Sequence, residues 1–204
     1  PELALTVTII VMLLARVLTP RKAERFVLPL VNWLPLVGAL AALYFAAPWN
    51  HLASDGKIAS TELFTGLLVY DALTIYFRAF LAFFLVVFVL FTQLSGIPDR
   101  EDGADFYTLV LGGTIGMCLM ASANHLLIVF LAVEMASVPS YVLAGQLKGR
   151  RKASEAAIKY AVYGAGAAGV MLYGISLLAG VLGTVHLPTM AIRFAGLLES
   201  GSGA

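Results

Sequence analysis

The sequence predicts an all-α protein, a polytopic bundle of transmembrane helices with about six spans. Hydrophobic residues make up 60% of its 204 residues and charged residues only 12%, whereas a soluble domain needs roughly a quarter of its residues charged. This composition excludes a soluble enzyme. The thirteen basic and twelve acidic side chains almost cancel, so the chain also lacks the basic surface of a nucleic-acid-binding protein.

Apolar runs define the candidate spans, because a helix needs about 20 mostly apolar residues to cross a bilayer. The first run is short, and the chain opens on Pro1 without a signal-peptide pattern, so we expect it to begin inside a longer protein. One long polar connection is expected near 47–71, and a loop or truncated tail at 187–204, where the composition is that of a flexible segment. The runs lie near 3–19, 27–47, 72–96, 105–122, 124–145 and 154–183.

Basic residues predict the orientation of the bundle. The loops at 20–26, 97–104 and 146–153 fall on one side and carry eight Lys and Arg residues, whereas the opposite loops carry only Lys57. By the positive-inside rule the first set of loops is cytoplasmic. The chain therefore begins on the outer side.

Glu134 is an ionisable residue in the middle of the fifth apolar run. It stands about ten residues, or roughly 15 Å, from either end of that run. Charge at this depth costs several kcal/mol, so such a group is a candidate functional residue. Burial favours the neutral carboxyl and a nearby ammonium favours the carboxylate, so a partner can switch its protonation. The alternative is a protonated glutamic acid that only holds helices together.

Lys159, inside the sixth run, is the candidate partner of Glu134. It lies about 10 Å along a helix from Lys152, so its long side chain could also extend to the interface. Glu155, four residues upstream, offers a local ion pair. The residues themselves leave a buried functional amine and these local roles open.

Two further patterns are interpreted as packing or capping features. Residues 164–169 match the dinucleotide-binding fingerprint, but they lie inside an apolar run without the required preceding strand. Small residues there favour close helix packing, and Gly112 with Gly116 forms a second such pair. Asp71 and Arg78 lie two turns apart at the start of the third run and could pair, although a capping or interfacial role is favoured.

Histidine and cysteine give no evidence of a metal site. His51, His125 and His186 are scattered near the expected membrane edges without ligand spacing. Cys118 is the single cysteine and lies in an apolar run. We therefore expect a buried, unpaired thiol.

Two segments carry a family resemblance: ANHLLIVFLAVEMASVPSYVLAG and KASEAAIKYAVYGAGAAGVMLYGISLLAGVLGT. They resemble the antiporter-like membrane subunits of respiratory complex I, and within that group subunit N of bacterial NADH-quinone oxidoreductase. The resemblance covers about 105–186, with support upstream from YDALTIYFRAF. It implies a larger inverted-repeat fold, in which 1–104 supplies helices 1–3 and 105–186 supplies helices 4–6 of the first repeat.

The resemblance also implies a function. The chain would be part of a proton-translocating subunit in the bacterial inner (plasma) membrane, with Glu134 and Lys159 on the proton path. It would hold no cofactor itself; NAD, FMN, iron–sulfur clusters and quinone are expected in partner subunits. Its partners would be the other membrane subunits and the lipid bilayer. The alternatives are a subunit of a multisubunit cation/proton antiporter or an energy-converting hydrogenase, or a structural subunit without its own proton path.

Overall fold

The computed structural model describes residues 1–18, 24–46, 60–96, 103–146 and 150–201, with the backbone alone for 24–32 and 200–201. This part of the chain contains seven helices and one short β-hairpin, which lies between the second and third helices. The elements are α1 (Glu2–Leu18), α2 (Glu24–Ala46), β1 (Thr61–Leu63), β2 (Leu68–Tyr70), α3 (Ala72–Ser95), α4 (Gly103–Ala121), α5 (Leu126–Ala144), α6 (Arg151–Leu182) and α7 (Leu187–Gly201).

The prediction of a polytopic all-α membrane bundle is confirmed. Within the described ranges, four helices (α3, α4, α5 and α6) are long and apolar enough to cross a membrane. The helix α1 has 17 residues, and the fully described part of α2, Trp33–Ala46, is a shorter apolar segment. Segments 19–23, 47–59, 97–102 and 147–149, which include most of the basic loop residues, lie outside the described residues.

The main core lies among α1, α2, α3 and α4. These helices contact one another directly, whereas α5 packs on α4, and α6 packs on α5. Met12, Val89 and Leu111 are fully buried at the centre. In α6, only Ile175 and Leu182 are buried. The helices α5 and α6 thus extend the bundle to one side, and much of α6 is left uncovered by the described residues.

The polar connection near 47–71 contains a hairpin that the sequence analysis did not predict. Strands β1 and β2 pair antiparallel, with Thr61 opposite Tyr70. Positive φ angles at Phe64, Thr65 and Gly66 form the turn. Each strand has only three residues, which is too short to produce a clear alternation of apolar and polar residues.

The hairpin is hydrogen-bonded to the α4–α5 connection, which is hydrogen-bonded in turn to the α6–α7 connection. The amide of Val69 donates to Ser122 O at 2.8 Å, and the amide of Asn124 donates to Leu67 O at 3.0 Å. Asn124 O accepts in turn from the amide of Leu187, also at 3.0 Å. Residues 61–70, 122–126 and 183–187 therefore form one layer, called here the hairpin end of the bundle.

The expectation of a loop at 187–204 is wrong for Leu187–Gly201, which forms α7. Pro188 lies in its first turn, where proline suits a helix because the missing N–H would have no partner there. Arg193 Nη1 donates to Leu182 O at 2.5 Å and so joins α7 to the end of α6. Residues 202–204 lie outside the described part of the chain.

Asp71 and Arg78 do not pair with each other among the described contacts. The capping role of Asp71 is confirmed: its Oδ1 accepts from the backbone N–H of Thr74 at 2.8 Å at the start of α3. Arg78 is buried and its Nε lies 2.7 Å from Glu2 Oε1. It also donates from Nη2 to Ser122 Oγ at 3.2 Å. This ion pair joins the first turn of α1 to α3 at the hairpin end.

Candidate functional site

Glu134 lies half-buried in the middle of α5, on the side away from α4. The opposite side of α5 packs on α4 at Gly116, where an added Cβ would lie 2.7 Å from Ala136 N and 2.9 Å from Ala132 O. Ala132 and Ala136 each stand two residues from Glu134, or about 160° around the helix. Glycine at 116 thus lets the two backbones touch while Glu134 faces away from that contact.

The other side of α5 packs against a stripe of small residues on α6. Tyr141, about two turns from Glu134 on the same face, packs against Gly164, where an added Cβ would overlap the tyrosine ring. A Cβ on Gly145 would lie 2.8 Å from Ala157 Cβ. The less exposed residues of this part of α6 recur at intervals of three and four: Ala153, Ala157, Ala161, Gly164, Ala168, Met171 and Ile175.

The helices α5 and α6 run antiparallel, and their contacts fix how far apart the two predicted site residues lie. Gly145 opposite Ala157 and Tyr141 opposite Gly164 place Glu134 level with the part of α6 between Ala168 and Met171. Lys159 is about nine to twelve residues earlier in α6, which corresponds to about 13–18 Å along the axis. The run at 164–169 therefore comes close to the level of Glu134.

Lys159 makes a local ion pair in α6. Its Nζ lies 2.5 Å from Glu155 Oε1, four residues upstream, and its side chain is 66% exposed. Because Lys159 comes two residues after Ala157, which faces α5, it points about 160° away from that interface. Of the roles left open by the sequence, local pairing is thus the one observed, and Glu134 and Lys159 are not in contact. Their place on a proton path stays a prediction.

Hydroxyl groups occupy the α5–α6 interface between the levels of Glu134 and Lys159. The Ser137 hydroxyl donates to Val133 O at 2.7 Å, one turn back in α5. The hydroxyls of Ser140 and Tyr160 lie 3.2 Å apart across the interface. The ring of Tyr160 also meets that of Tyr141 edge to face, at 4.6 Å between centroids. No described side chain forms an ion pair with the carboxylate of Glu134.

Two other groups at the hairpin end were not predicted as sites. One is the buried ion pair of Glu2 with Arg78; the other is His186, which contacts Asn124 and Glu62. An ionisable residue within an apolar run singled out Glu134, and the same signal could have found Arg78. No group of three or more potential metal ligands occurs among the described residues.

Comparison with known proteins completes this description. Residues 123–202 match the family described as NADH:quinone oxidoreductase/Mrp antiporter, transmembrane. NADH-quinone oxidoreductase subunit N of Anaeromyxobacter sp. (strain Fw109-5) is 36% identical over 203 residues, which is 99% of this chain and 37% of that protein. The chain belongs to the family of antiporter-like membrane subunits. The F(420)H(2) dehydrogenase subunit N of Methanosarcina mazei is 35% identical over 94% of the chain and 38% of that protein.

Solved structures give the same result. Respiratory complex I from Thermus thermophilus contains a chain with 29% identity and a TM-score of 0.67, aligned over 97% of this antiporter-like subunit and 42% of that chain. An archaeal membrane-bound sulfane sulfur reductase has a chain with 18% identity and a TM-score of 0.71, covering 94% and 40%, which shows the common fold. The sequence thus spans well under half the length of the relatives it matches.

Proposed function

We propose that this chain is part of a proton-translocating membrane subunit of an NADH-quinone oxidoreductase. Partner subunits would oxidise NADH and reduce quinone, and NAD, FMN, iron–sulfur clusters and quinone would be bound there. The observation that supports this proposal is the position of Glu134: half-buried, in the middle of a candidate span, and facing the α6 side rather than the tight contact with α4.

The proposed mechanism uses the carboxyl of Glu134 as a proton carrier. Apolar surroundings favour a neutral carboxyl, and an approaching ammonium favours release of its proton. Lys159 is one such ammonium, and it can change partner because its present pair with Glu155 is exposed. Since the two residues stand about 13–18 Å apart along the helices, the proton would cross that distance through groups between them. Ser140 and Tyr160 are polar groups in that interval.

We further propose the location and orientation of the subunit. A multi-pass protein related to bacterial subunit N fits the bacterial inner membrane, with lipid and other membrane subunits of the complex around it. The positive-inside rule places the basic connections in the cytoplasm and the hairpin end on the outer side. The proton would therefore travel from the level of Lys159, past Glu134, towards the hairpin end.

The test is Glu134→Gln in the full-length subunit within the assembled complex, reconstituted in sealed vesicles. Glutamine keeps the size of the side chain but cannot carry a proton. We expect fewer protons translocated per NADH oxidised, with assembly unchanged. Glu199→Gln, on the exposed surface of α7, is the matched control. Full pumping in Glu134→Gln contradicts the proposal, and loss of assembly instead supports a structural role for the residue.

The relative in an F(420)H(2) dehydrogenase supports a second candidate. Its identity of 35% is close to that of the NADH-linked relative, so the same proton path could serve a complex with another electron donor. Purification of the complex from its native membrane in mild detergent, followed by mass spectrometry of the attached chains, distinguishes them. An NADH-oxidising module supports the first candidate, and its replacement by another electron-input module supports the second.

A further inference from the structure

His186 joins three parts of the molecule at the hairpin end. It directly precedes α7, and its Nδ1 lies 2.8 Å from Thr189 Oγ1 in the first turn of that helix. Its Nε2 lies 3.0 Å from Asn124 Nδ2 on the α4–α5 connection, and 3.8 Å from Glu62 Oε1 on β1. The side chain of His186 is 27% exposed and that of Glu62 is 57% exposed. The imidazole is thus partly accessible to water.

The hydrogen bonds determine which nitrogen of His186 carries a proton. Gly66 O, at the tip of the hairpin, can only accept, so the atom of Asn124 that lies 3.2 Å from it must be the donor Nδ2. The same NH₂ group faces His186 Nε2 and donates its other hydrogen there. Nε2 is then an unprotonated acceptor, and Nδ1 carries the hydrogen towards Thr189. In this arrangement His186 is neutral.

Protonation of His186 would break this arrangement. A hydrogen on Nε2 would point at the NH₂ group of Asn124, so the amide would have to turn over and Gly66 O would lose its donor. The new N–H would then donate to the turned amide oxygen of Asn124 and would also be attracted to the carboxylate of Glu62, since a charge-assisted hydrogen bond is stronger than a neutral one. His186 therefore accepts a hydrogen bond from Asn124 when neutral, and donates one when charged, with Glu62 as the nearby carboxylate.

We propose that His186 and Glu62 form a proton-exchange site at the hairpin end. A proton binds the lone pair of Nε2 and the imidazolium is stabilised by Glu62; the proton then leaves to water, directly or through the carboxylate. Only N–H and O–H bonds form and break. Histidine suits this role because its charge changes between about pH 5 and 8. The direction of exchange, release to the outer side, rests on the proposed function; the proton site itself does not.

The site lies on the opposite side of Glu134 from Lys159, measured along the axis of α5. Asn124, which holds the imidazole, stands ten residues before Glu134, or about 15 Å at the helical rise. Lys159 lies a similar distance beyond Glu134 on the other side. His186, Glu134 and Lys159 thus stand at three successive levels along α5 and its neighbours.

The charged and titratable groups around His186 are few within the described ranges. Glu62 is the one that faces its ring. His125 pairs with His186 through a backbone bridge, but its own Nδ1 accepts from the backbone N–H of Leu127 at the start of α5. Arg193 on α7 donates to Leu182 O. His125 is therefore a matched control: a histidine in the same layer that caps a helix and has no carboxylate partner among the described residues.

The first experiment tests the proton site without reference to pumping. Amide hydrogen exchange at residues 64–67 is measured from pH 5.5 to 8 in the full-length subunit within its complex, and corrected for the intrinsic pH dependence of exchange. On the acid side of the His186 transition, the amides of the hairpin tip (64–67) should exchange about two- to tenfold faster than on the neutral side. This factor is the net effect of losing one hydrogen bond. The transition should vanish in His186→Gln and stay in His125→Gln. A transition retained in His186→Gln, or none in the wild type, overturns the proton site.

The second experiment tests the direction of exchange. The protons pumped per NADH are measured across the same pH range for His186→Gln, Glu62→Gln and His125→Gln. We expect the first two variants to pump less and to lose part of the pH dependence, and the third to follow the wild type. If the exchange transition depends on His186 but pumping does not, release through this site is overturned while the proton site stands. Failure of Glu134→Gln to affect pumping would instead count against the proposed function.

Discussion

Lys159 Nζ lies 2.5 Å from Glu155 Oε1, on the face of α6 turned away from α5. Exposed pairs of this kind at positions i and i+4 contribute only about 0.3–0.5 kcal/mol to stability. The pair therefore holds the amine in place weakly, and Lys159 is available for another partner when the surroundings change.

Lys159→Gln should separate transport from stability. Because the pair with Glu155 is weak, we expect the free energy of unfolding of the subunit to change by less than about 0.5 kcal/mol. Proton pumping by the assembled complex should fall, since glutamine carries no proton. The control is Lys152→Gln, an exposed residue in the first turn of α6. If Lys159→Gln pumps as well as Lys152→Gln, Lys159 has no role in transport and only forms its ion pair with Glu155.

Gly116 should be one of the least tolerant positions in α4. A Cβ there would meet backbone atoms of Ala132 and Ala136 at 2.9 and 2.7 Å, so Gly116→Ala should force α4 and α5 apart. We expect a destabilisation of about 1–3 kcal/mol, measured as the thermal unfolding of the purified subunit in detergent. Gly112→Ala is the matched control, because its Cβ meets nothing within 4 Å. That variant should be neutral or slightly stabilised, as alanine favours a helix.

The ion pair of Glu2 with Arg78 should show strong coupling between its two members. Removing one partner leaves a buried charge, so Arg78→Met or Glu2→Leu alone should destabilise the subunit by about 1–3 kcal/mol, less than for a fully enclosed pair because Glu2 is 23% exposed. The double variant should recover part of that loss. A double-mutant cycle on thermal stability measures the coupling, and strictly additive effects would show that the contact carries no energy.

Asp71 should give α3 a pH-dependent contribution to stability. Hydrogen bonds from the backbone N–H of Thr74, and then from its side chain, hold the pKa of Asp71 below the ordinary value of 3.8. A depressed pKa stabilises the fold above that ordinary value, and the contribution is lost as pH falls through the lowered pKa. Asp71→Ala should cost about 0.5–2 kcal/mol near neutral pH.

Stability curves of wild type and Asp71→Ala between pH 2 and 7 test this assignment. The difference between them should shrink at the acid end, where the wild-type carboxyl is protonated. Asp71→Asn keeps an oxygen acceptor and should retain most of the cap without the pH dependence. A constant difference between wild type and Asp71→Ala across the range would contradict the assignment.

The helices could be predicted from the sequence because each apolar run is long and continuous, and α3 to α6 begin and end close to the predicted bounds. The hairpin could not, since its three-residue strands are completed by residues about 55 positions away, around Ser122 and Asn124. The helix α7 was missed because the polar segment at its end outweighed the proline and the apolar residues at its start.

The candidate site was predictable only in part. The depth of Glu134 follows from its position in the run, and the sequence correctly offered Glu155 as a local partner of Lys159. The separation of Glu134 from Lys159 depends on the register in which α5 packs against α6. Contacts such as Tyr141 with Gly164 set this register. The same limit applied to the packing glycines: Gly116 makes the predicted close contact, whereas Gly112 does not.

The central claim is that the carboxyl of Glu134 gains and loses a proton during turnover. Infrared difference spectroscopy of the assembled complex during NADH oxidation detects the carbonyl stretch of a protonated carboxyl. We predict a band that appears or disappears with turnover in the wild type, shifts in deuterated water, is absent in Glu134→Gln, and persists in Glu199→Gln. Identical difference spectra for the wild type and Glu134→Gln would show that this carboxyl does not change protonation, and would contradict the proton path proposed for this subunit.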